Sequence, residues 1–397
     1  LLAGGDGAVA PADFVASPTV SPDGRTIAWV SWDHPNMPWD STTLWVAPFD
    51  PTTGSLAGSP RAIVDRVRAD GAKASLVYPN WGPDGGLYVL TDASGWWNLA
   101  RVASDGSLSP VIALDADLCG PFWGFAPAPY AFLPDASILI TPRRGGNARL
   151  ATVHAYEGGS ERVIAEGWVG GSPSVSGARV LAIIGTPARA SQVCVIDVGA
   201  SPPTLEVLRD ADSSIPTDDI SVGEAITFPT AGGAVAHATY YAPRNGSHAP
   251  APGLLPPLMV LSHGGPTGAT SAAYSPRVQF WTTRGFAVVD VDYRGSTGYG
   301  RAYREALRDA WGVADVDDCV AAAQYLAEQG MADRSRLAIM GGSAGGYTTL
   351  ACLAFRPGVF AAGLSDYGIG DLEALASHTH KFEARYLDRL VAPYPSG

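Results

Sequence analysis

A turn motif recurs along the first half of this sequence and restricts its fold more than any other feature. Ser-Pro-Asp-Gly at 21–24, Gly-Pro-Asp-Gly at 82–85 and Leu-Pro-Asp-Ala at 133–136 each precede a run of β-branched or aromatic residues, and a degenerate Val-Ser-Gly at 175–177 does the same. Pro, Asp and Gly favour tight turns, and the runs that follow them favour strands. The repeated unit is therefore a turn followed by a strand.

A second strand follows most of these units, as at 43–47, 98–102 and 192–196. The spacing lies near the roughly 40–50 residues of a propeller blade. Because one blade cannot bury both of its faces, several must pack around a common axis. We predict an N-terminal β-propeller over residues 1–225, and expect it to be incomplete because only four blades are recognisable. A β-sandwich is the alternative.

The overall composition fits many short strands and excludes several classes of partner. The chain has 397 residues, of which 47 are glycine and 32 are proline, and its net charge is −12. An acidic chain offers no basic surface for nucleic acid or anionic membranes, and no apolar run is long enough to span a bilayer. We expect neither nucleic acid nor membrane as a partner. We expect a cytoplasmic location, with an organelle as the alternative, and we leave homo-oligomer formation open.

The sequence opens with neither an initiating Met nor a basic segment, so we expect no signal peptide in it. The missing Met also leads us to expect that the N-terminus of the protein lies upstream. The four cysteines are far apart and form no Cys-x-x-Cys pair, and we expect them to be buried free thiols. They are Cys119, Cys194, Cys319 and Cys352.

From about residue 225 the pattern changes to buried strands that alternate with helices. Residues 226–257 are predicted to form a lead-in hairpin and a proline-rich linker. Apolar strands are predicted at 258–262, 286–291, 336–340 and 360–364, with helices at 316–329 and 343–355. This alternation is typical of a parallel sheet covered by helices on both faces.

The Gly-Gly-Ser-Ala-Gly sequence at 341–345 lies between a buried strand and an apolar helix. In this context, G-x-S-x-G is typical of the nucleophile elbow of an α/β-hydrolase. The serine must adopt a strained conformation, and the flanking glycines allow the strand and the helix to approach each other. We predict that residues 258–397 form an α/β-hydrolase domain with Ser343 as the catalytic nucleophile.

His-Gly-Gly-Pro at 263–266 follows the first buried strand of this part. Acyl transfer needs two N–H donors directed at the developing oxyanion. In this architecture one donor is the residue after the nucleophile, here Ala344, and the other comes from an early loop, here Gly265. We expect His263 to brace this loop, because the catalytic base of the fold follows the nucleophile in sequence.

Four segments together resemble the prolyl oligopeptidase family of serine peptidases in order and spacing. They are 263–266, Asp-Tyr-Arg-Gly-Ser-Thr-Gly-Tyr-Gly at 292–300, Trp-Gly at 311–312 with Asp-Val-Asp-Asp at 315–318, and 341–347. The resemblance is greatest to the acylaminoacyl-peptidase and dipeptidyl-aminopeptidase branch, which has a propeller with Ser-Pro-Asp-Gly turns. His263 fits that branch, because prolyl oligopeptidase proper and dipeptidyl peptidase IV carry a tyrosine at this position.

The resemblance implies a Ser-Asp-His triad, no metal, no organic cofactor, and a propeller that limits the substrates to short peptides. The Asp and His of the family lie on later strand ends, and only 54 residues follow Ser343. We expect the α/β-hydrolase domain to be truncated and the chain alone to be inactive. His378 and His380 are expected to be structural, because residues 375–390 are predicted to form a surface excursion.

The function predicted from the sequence is that of a serine peptidase of acylaminoacyl-peptidase, dipeptidyl-peptidase or oligopeptidase type. A carboxylesterase or lipase would use the same chemistry, and an inactive propeller-bearing fragment is the third alternative. The resemblance also bears on specificity, because dipeptidyl peptidases of the family bind the free amino terminus with a glutamate pair in the propeller. This sequence contains no Glu-Glu pair, which slightly favours acylated or internal peptides as substrates.

Overall fold

The computed structural model describes Ala3 and residues 10–64, 73–154, 160–211 and 215–396. Within these residues, four antiparallel sheets follow one another along the chain, and a mixed six-stranded sheet comes after them. We call residues 14–209 the blade region and residues 224–390 the α/β domain.

Each sheet of the blade region has four or five strands in the described residues. The first contains β1 (Phe14–Val20), β2 (Thr26–Trp32), β3 (Thr43–Asp50), β4 (Ser55–Leu56) and β5 (Arg61–Ile63). The second contains β6 (Leu76–Trp81), β7 (Leu87–Thr91), β8 (Asn98–Val102) and β9 (Leu108–Pro110). The third contains β10 (Ala131–Phe132), β11 (Ser137–Ile140), β12 (Arg143–Arg144), β13 (Asn147–His154) and β14 (Arg162–Glu166). The fourth contains β15 (Trp168–Ser176), β16 (Arg179–Thr186), β17 (Arg189–Asp197) and β18 (Thr204–Arg209).

The turn motif closes the first hairpin of each sheet, and its residues explain why. In the first sheet, the Asp23 carboxylate accepts hydrogen bonds from the Ser21 hydroxyl at 2.6 Å and from the Arg25 backbone N–H at 3.0 Å. Gly24 has a φ of 73°, a left-handed conformation that glycine adopts without steric cost. Ala136 takes the same conformation in the third turn, with a φ of 64°.

The first strand of each sheet precedes the turn motif and is absent from the predicted two-strand unit. The pairing register shifts between Ala16 and Thr19 in β1, and between Val77 and Asn80 in β6. Such bulges interrupt the two-residue alternation by which strands are recognised in a sequence. Each blade is therefore larger than the unit that the repeat predicts.

Neighbouring sheets of the blade region pack face to face through apolar side chains. Leu139 of the third sheet and Val180 and Cys194 of the fourth belong to one buried cluster. The opposite face of the fourth sheet carries Leu181 and Ile183, each 44% exposed. One face of this sheet is thus buried, whereas the other presents apolar side chains to solvent.

The sheet of the α/β domain has the strand order β19-β20-β22-β21-β23-β24. Its strands are β19 (Glu224–Pro229), β20 (Val235–Tyr241), β21 (Leu258–Ser262), β22 (Ala287–Asp292), β23 (Leu337–Gly342) and β24 (Ala362–Asp366). The last four strands in this order are parallel, and the β19–β20 hairpin joins them antiparallel through β22. The carboxyl ends of the parallel strands therefore share one edge of the sheet.

Six α-helices of the α/β domain lie in the part of the chain that the structure describes. They are α1 (Pro276–Thr282), α2 (Gly300–Glu305), α3 (Ala314–Glu328), α4 (Ala344–Phe355), α5 (Leu372–His378) and α6 (Leu387–Leu390), with short 3₁₀ turns at Thr217–Asp219, Ala231–Gly233 and Lys381–Glu383. None of these helices combines the length and the apolar character needed to cross a membrane. All four cysteines are free and buried, as predicted.

A buried ion-pair cluster joins the α/β domain to the blade region. Arg301 of α2 donates two hydrogen bonds to the Asp92 carboxylate, at 2.8 and 2.9 Å, and Arg304 also pairs with Asp92. The Arg304 guanidinium lies 4.0 Å from the ring centroid of Trp97. Because Asp92 has no exposed surface, this cluster holds the two parts together away from water.

The prediction of a surface excursion at residues 375–390 is wrong for its second half. Tyr386, Leu387 and Leu390 are buried. The Tyr386 ring packs edge-on against Trp39 and Trp123 of the blade region. The segment fills the junction between the two parts, and a sequence pattern of mixed polar and apolar residues does not reveal such a distant partner.

Candidate active site

Ser343 lies between the end of β23 at Gly342 and the start of α4 at Ala344. Its φ of 54° and ψ of −122° are unusual for a residue with a side chain. The Ser343 backbone N–H donates to the Asp366 carbonyl at 3.1 Å, which ties the bend to β24. The chain therefore makes a sharp strand-to-helix bend at Ser343.

The glycines around Ser343 are required by close contacts with neighbouring backbone. A Cβ at Gly345 would lie 2.1 Å from the Ser262 carbonyl oxygen, and a Cβ at Gly341 would lie 2.4 Å from the Gly345 carbonyl oxygen. Any larger residue would force β21, β23 and α4 apart.

The two predicted oxyanion donors flank this bend. Gly265 has a φ of 128°, and a Cβ at neighbouring Gly264 would lie 3.7 Å from the Ser343 Cβ. The backbone N–H groups of Gly265 and Ala344 donate no hydrogen bond to any described group. Gly265 and Ser343 also line one cavity of about 120 Å³. The loop with Gly265 and the turn with Ser343 thus meet at one place, with two unused N–H groups beside it.

His263 is held by the loop that it starts. Its Nδ1 lies 2.8 Å from the Gly264 carbonyl oxygen, its Nε2 lies 2.8 Å from the Ser296 hydroxyl oxygen, and its ring stacks on Tyr293 with centroids 4.2 Å apart. Burial lowers the pKa of His263 below the ordinary value for histidine. These contacts fit a bracing residue whose two ring nitrogens are both engaged away from Ser343.

Thr267, two residues after Gly265, is fixed by side chains from distant parts of the chain. Its backbone N–H donates to the Tyr386 hydroxyl at 3.2 Å, and its own hydroxyl lies 2.6 Å from the same oxygen. Its carbonyl accepts a hydrogen bond of 2.7 Å from the indole Nε1 of Trp123. Trp123 lies in the segment of chain that connects the second and third sheets. The loop is thus clamped from both the α/β domain and the blade region.

Asp315 supports the helix that begins at the bend. Its carboxylate accepts hydrogen bonds from the Thr348 hydroxyl at 2.5 Å and from the Gly312 backbone N–H at 2.6 Å. The Thr348 hydroxyl is also 3.1 Å from the Ala344 carbonyl oxygen. Burial raises the pKa of Asp315 to about 6, although both hydrogen bonds act in the opposite direction.

The cavity beside Ser343 has mostly apolar walls and one carboxylate. Besides Gly265 and Ser343, its lining residues are Pro266, Trp311, Ile369, Leu375, Glu383, Tyr386, Leu387 and Leu390. The sequence analysis missed Glu383 and Tyr386, since residues 375–390 were expected to lie on the surface. No short motif marks either residue, and only the fold places them near Ser343.

The seven histidines of the chain all lie in described residues, and none forms a hydrogen bond with the Ser343 hydroxyl there. His378 instead has its Nδ1 3.0 Å from the Ala374 carbonyl oxygen, and His380 has its Nε2 3.7 Å from a Glu383 carboxylate oxygen. The described residues therefore bring the predicted nucleophile Ser343 together with two unused N–H groups, and they place no histidine in hydrogen-bond contact with its hydroxyl.

Residues 272–395 match the model of the prolyl oligopeptidase family. Dipeptidyl aminopeptidase BIII of Pseudoxanthomonas mexicana is 38% identical over 135 residues, which are 34% of this chain and 20% of that enzyme. The acylamino-acid-releasing enzyme of Arabidopsis thaliana is 35% identical over 106 residues, which are 27% of this chain and 14% of that enzyme. These relatives fit both branches named in the sequence resemblance.

The solved structure of a Mycobacterium tuberculosis puromycin-hydrolyzing peptidase superimposes on this chain with a TM-score of 0.89 and 38% sequence identity. The superposition covers 98% of this chain and 59% of that peptidase. Both the blade region and the α/β domain therefore have counterparts in a solved peptidase, and the chain spans about three fifths of its length.

Proposed function

We propose that the full-length protein, whose residues 272–395 match the model of the prolyl oligopeptidase family, is a serine-type peptidase that cleaves short peptides through an acyl-enzyme. One observation carries the proposal. Ser343 occupies a strained strand-to-helix bend, and the unused N–H groups of Gly265 and Ala344 flank it. The names of the similar proteins, a dipeptidyl aminopeptidase and a puromycin-hydrolyzing peptidase, support the same chemistry.

In the proposed reaction the Ser343 hydroxyl oxygen attacks the carbonyl carbon of the scissile amide and gives up its proton to a general base. The carbonyl oxygen becomes an oxyanion, which accepts hydrogen bonds from the Gly265 and Ala344 N–H groups. The same base then protonates the departing amine, and the C–N bond breaks to leave an ester on Ser343. Water, deprotonated by the base, attacks the carbonyl carbon of this ester. The bond from that carbon to the Ser343 oxygen breaks, the base returns the proton to this oxygen, and the acid is released.

We propose that the base and its orienting carboxylate lie outside these 397 residues. The positions of the histidines support this, since His263 is engaged with Gly264 and Ser296, and His378 with Ala374. Residues 1–397 alone are then expected to hydrolyse amides about 10³-fold or more slowly than the full-length protein.

We also propose that the blade region is part of a β-propeller that additional sheets complete. The solvent-facing Leu181 and Ile183 on the fourth sheet support this. At the first sheet, a largely apolar cavity of about 550 Å³ is lined by Ile27, Trp29 and exposed Phe125, among others. Apolar surfaces of this kind are what a neighbouring blade would cover. A closed propeller beside the site would admit only short peptides.

A fluorophosphonate probe tests the assignment of Ser343. The full-length protein should be labelled at Ser343, as located by mass spectrometry, and the Ser343→Ala variant should not be labelled. Absence of labelling in a folded full-length protein would contradict the proposed nucleophile. Faster hydrolysis of simple esters than of amino-acid anilides would instead favour an esterase.

A further inference from the structure

We propose that Glu383 binds the α-ammonium group of the substrate, so that the enzyme acts on peptides and amides with a free amino terminus and an apolar first residue. This inference rests on the proposed function of Ser343. It names the class of substrate that the cavity beside Ser343 would accept.

The position of Glu383 is the first argument. Glu383 ends the 3₁₀ turn Lys381–Glu383 and lines the same cavity of about 120 Å³ as Ser343 and Gly265. A cavity of this size holds about one side chain. Any charged group on its wall therefore lies close to the atoms bound at Ser343, and the α-amine of an amino-acid residue is only two bonds from its carbonyl carbon.

The unused hydrogen-bonding capacity of Glu383 is the second argument. Its Oε2 accepts a hydrogen bond of 3.2 Å from the Thr379 hydroxyl, which fixes the carboxylate. Its Oε1 accepts no hydrogen bond from any described group, and the side chain is only 30% exposed. A carboxylate partly withdrawn from water gains most from a cationic donor.

Neither His380 nor Lys381 donates a hydrogen bond to Oε1 of Glu383 in the described structure. His380 lies 3.7 Å from Oε2, and its ring is 68% exposed. The Lys381 ammonium is directed elsewhere, since it donates to the Asp13 carbonyl at 2.8 Å. Glu383, which lines the cavity, therefore keeps one carboxylate oxygen without a donor among the described groups.

The other residues that line the cavity determine which kind of cationic substrate it can bind. Trp311, Ile369 and Leu375 line the cavity with apolar surface, which suits an apolar side chain and disfavours the charged end of lysine or arginine. An N-terminal residue offers both an apolar side chain and an ammonium group beside its carbonyl. An acylated residue offers an uncharged amide there, which would leave the Glu383 carboxylate without its partner.

The test uses the full-length protein and three fluorogenic amides: phenylalanine aminomethylcoumarin, its N-acetyl derivative, and N-acetyl-lysine aminomethylcoumarin. We expect the free-amine substrate to have the highest kcat/KM. Glu383→Gln should lower kcat/KM for that substrate about 10- to 100-fold, the effect of losing one charged hydrogen bond. It should change kcat/KM for the N-acetyl substrate less than about twofold.

Glu328→Gln is the matched control, because Glu328 is 64% exposed on α3 and pairs only with Arg334 among described groups.

Any one of three results would overturn the proposal. The wild-type protein could cleave the N-acetyl-phenylalanine substrate at least as fast as the free-amine substrate, or it could prefer the N-acetyl-lysine substrate to the N-acetyl-phenylalanine substrate. The Glu383→Gln variant could lose activity on both phenylalanine substrates equally while keeping wild-type fluorophosphonate labelling. The comparison of the free-amine and N-acetyl substrates uses the wild-type protein alone, so it does not depend on the folding of a variant. Failure of fluorophosphonate labelling, in contrast, would refute the role of Ser343 itself.

Discussion

The indole Nε1 of Trp123 donates a hydrogen bond of 2.7 Å to the carbonyl oxygen of Thr267, although 144 residues separate the two in sequence. Trp123 belongs to the blade region, whereas Thr267 follows the proposed oxyanion donor Gly265 by two positions. The blade region therefore contributes directly to the position of the loop that would stabilise the transition state.

Trp123→Phe should lower kcat of the full-length protein about 10- to 100-fold, with KM changed less than about twofold. The ring would still pack against Trp39 and Tyr386, but the loop would lose one of its fixed points. Steady-state kinetics on a fluorogenic amide measures the effect. Trp81→Phe is the control, because it removes a similar indole hydrogen bond, to Thr19, within the blade region. Equal kinetics for both variants would show that the Thr267 contact is only structural.

Gly345→Ala should prevent native folding, because its Cβ would lie 2.1 Å from the Ser262 carbonyl oxygen at the carboxyl end of β21. We expect a loss of more than about 4 kcal/mol of stability, seen as loss of soluble protein or a large fall in Tm. Gly370→Ala is the matched control, since no atom lies within 4 Å of its added Cβ. A Gly345→Ala protein with wild-type Tm would contradict the tight strand–helix contact.

Asp92→Asn should destabilise the junction between the blade region and the α/β domain. The change leaves the guanidinium groups of Arg301 and Arg304 buried without their shared anion, which costs about 3–5 kcal/mol. Thermal unfolding followed by calorimetry should show a lower Tm or two separated transitions. The exposed Arg334–Glu328 pair offers the comparison, and Glu328→Gln should leave Tm unchanged. A small effect of Asp92→Asn would mean that apolar packing alone holds the junction.

Asp315 should make stability fall as pH rises through the mildly acidic range. Burial raises its pKa to about 6, whereas an unfolded aspartate titrates near about 4. Between these values the folded state binds more protons than the unfolded state, so a rise in pH favours unfolding by up to about 2–3 kcal/mol. Well above pH 6, where Asp315 is ionised in both states, this contribution is constant.

Asp315→Asn should remove this slope, because asparagine cannot ionise and can still contact Thr348 and the Gly312 N–H. Urea unfolding of wild type and variant from pH 4.5 to 7 measures the difference. Asp333→Asn is the control, since the Ser335 hydroxyl and other hydrogen bonds lower the pKa of Asp333 to about 2, below that range. Parallel stability curves for wild type and Asp315→Asn would contradict the raised pKa.

The strand-to-helix bend at Ser343 is predictable from sequence because its requirements are local. Glycines at 341 and 345 between an apolar strand and an apolar helix leave few conformations open, and the structure has β23 and α4 there. The predicted strand at 258–262 coincides with β21, whereas the one at 360–364 lies two residues before β24. The ends shift because hydrogen bonding to a neighbouring strand, not side-chain pattern, decides where a strand begins.

Glu383 and Trp123 were not predictable as parts of the site. Trp123 contacts a loop 144 residues away in sequence. Glu383 lines the cavity beside Ser343 from a segment whose pattern resembles a solvated surface. The packing of Phe382 and Tyr386 against Trp39 and Trp123 brings that segment inward. Contacts of this kind depend on the arrangement of whole sheets, which short-range patterns do not encode.

β24 (Ala362–Asp366) lies at the border of the six-stranded sheet and pairs, within the described residues, with β23 alone. Its outer row of peptide groups is open, its Leu364 side chain is 50% exposed, and its sequence contains neither proline nor lysine. Such a border accepts any extended segment that reaches it. A concentrated solution of residues 1–397 by themselves should therefore associate through intermolecular strand pairing, with turbidity that increases with protein concentration.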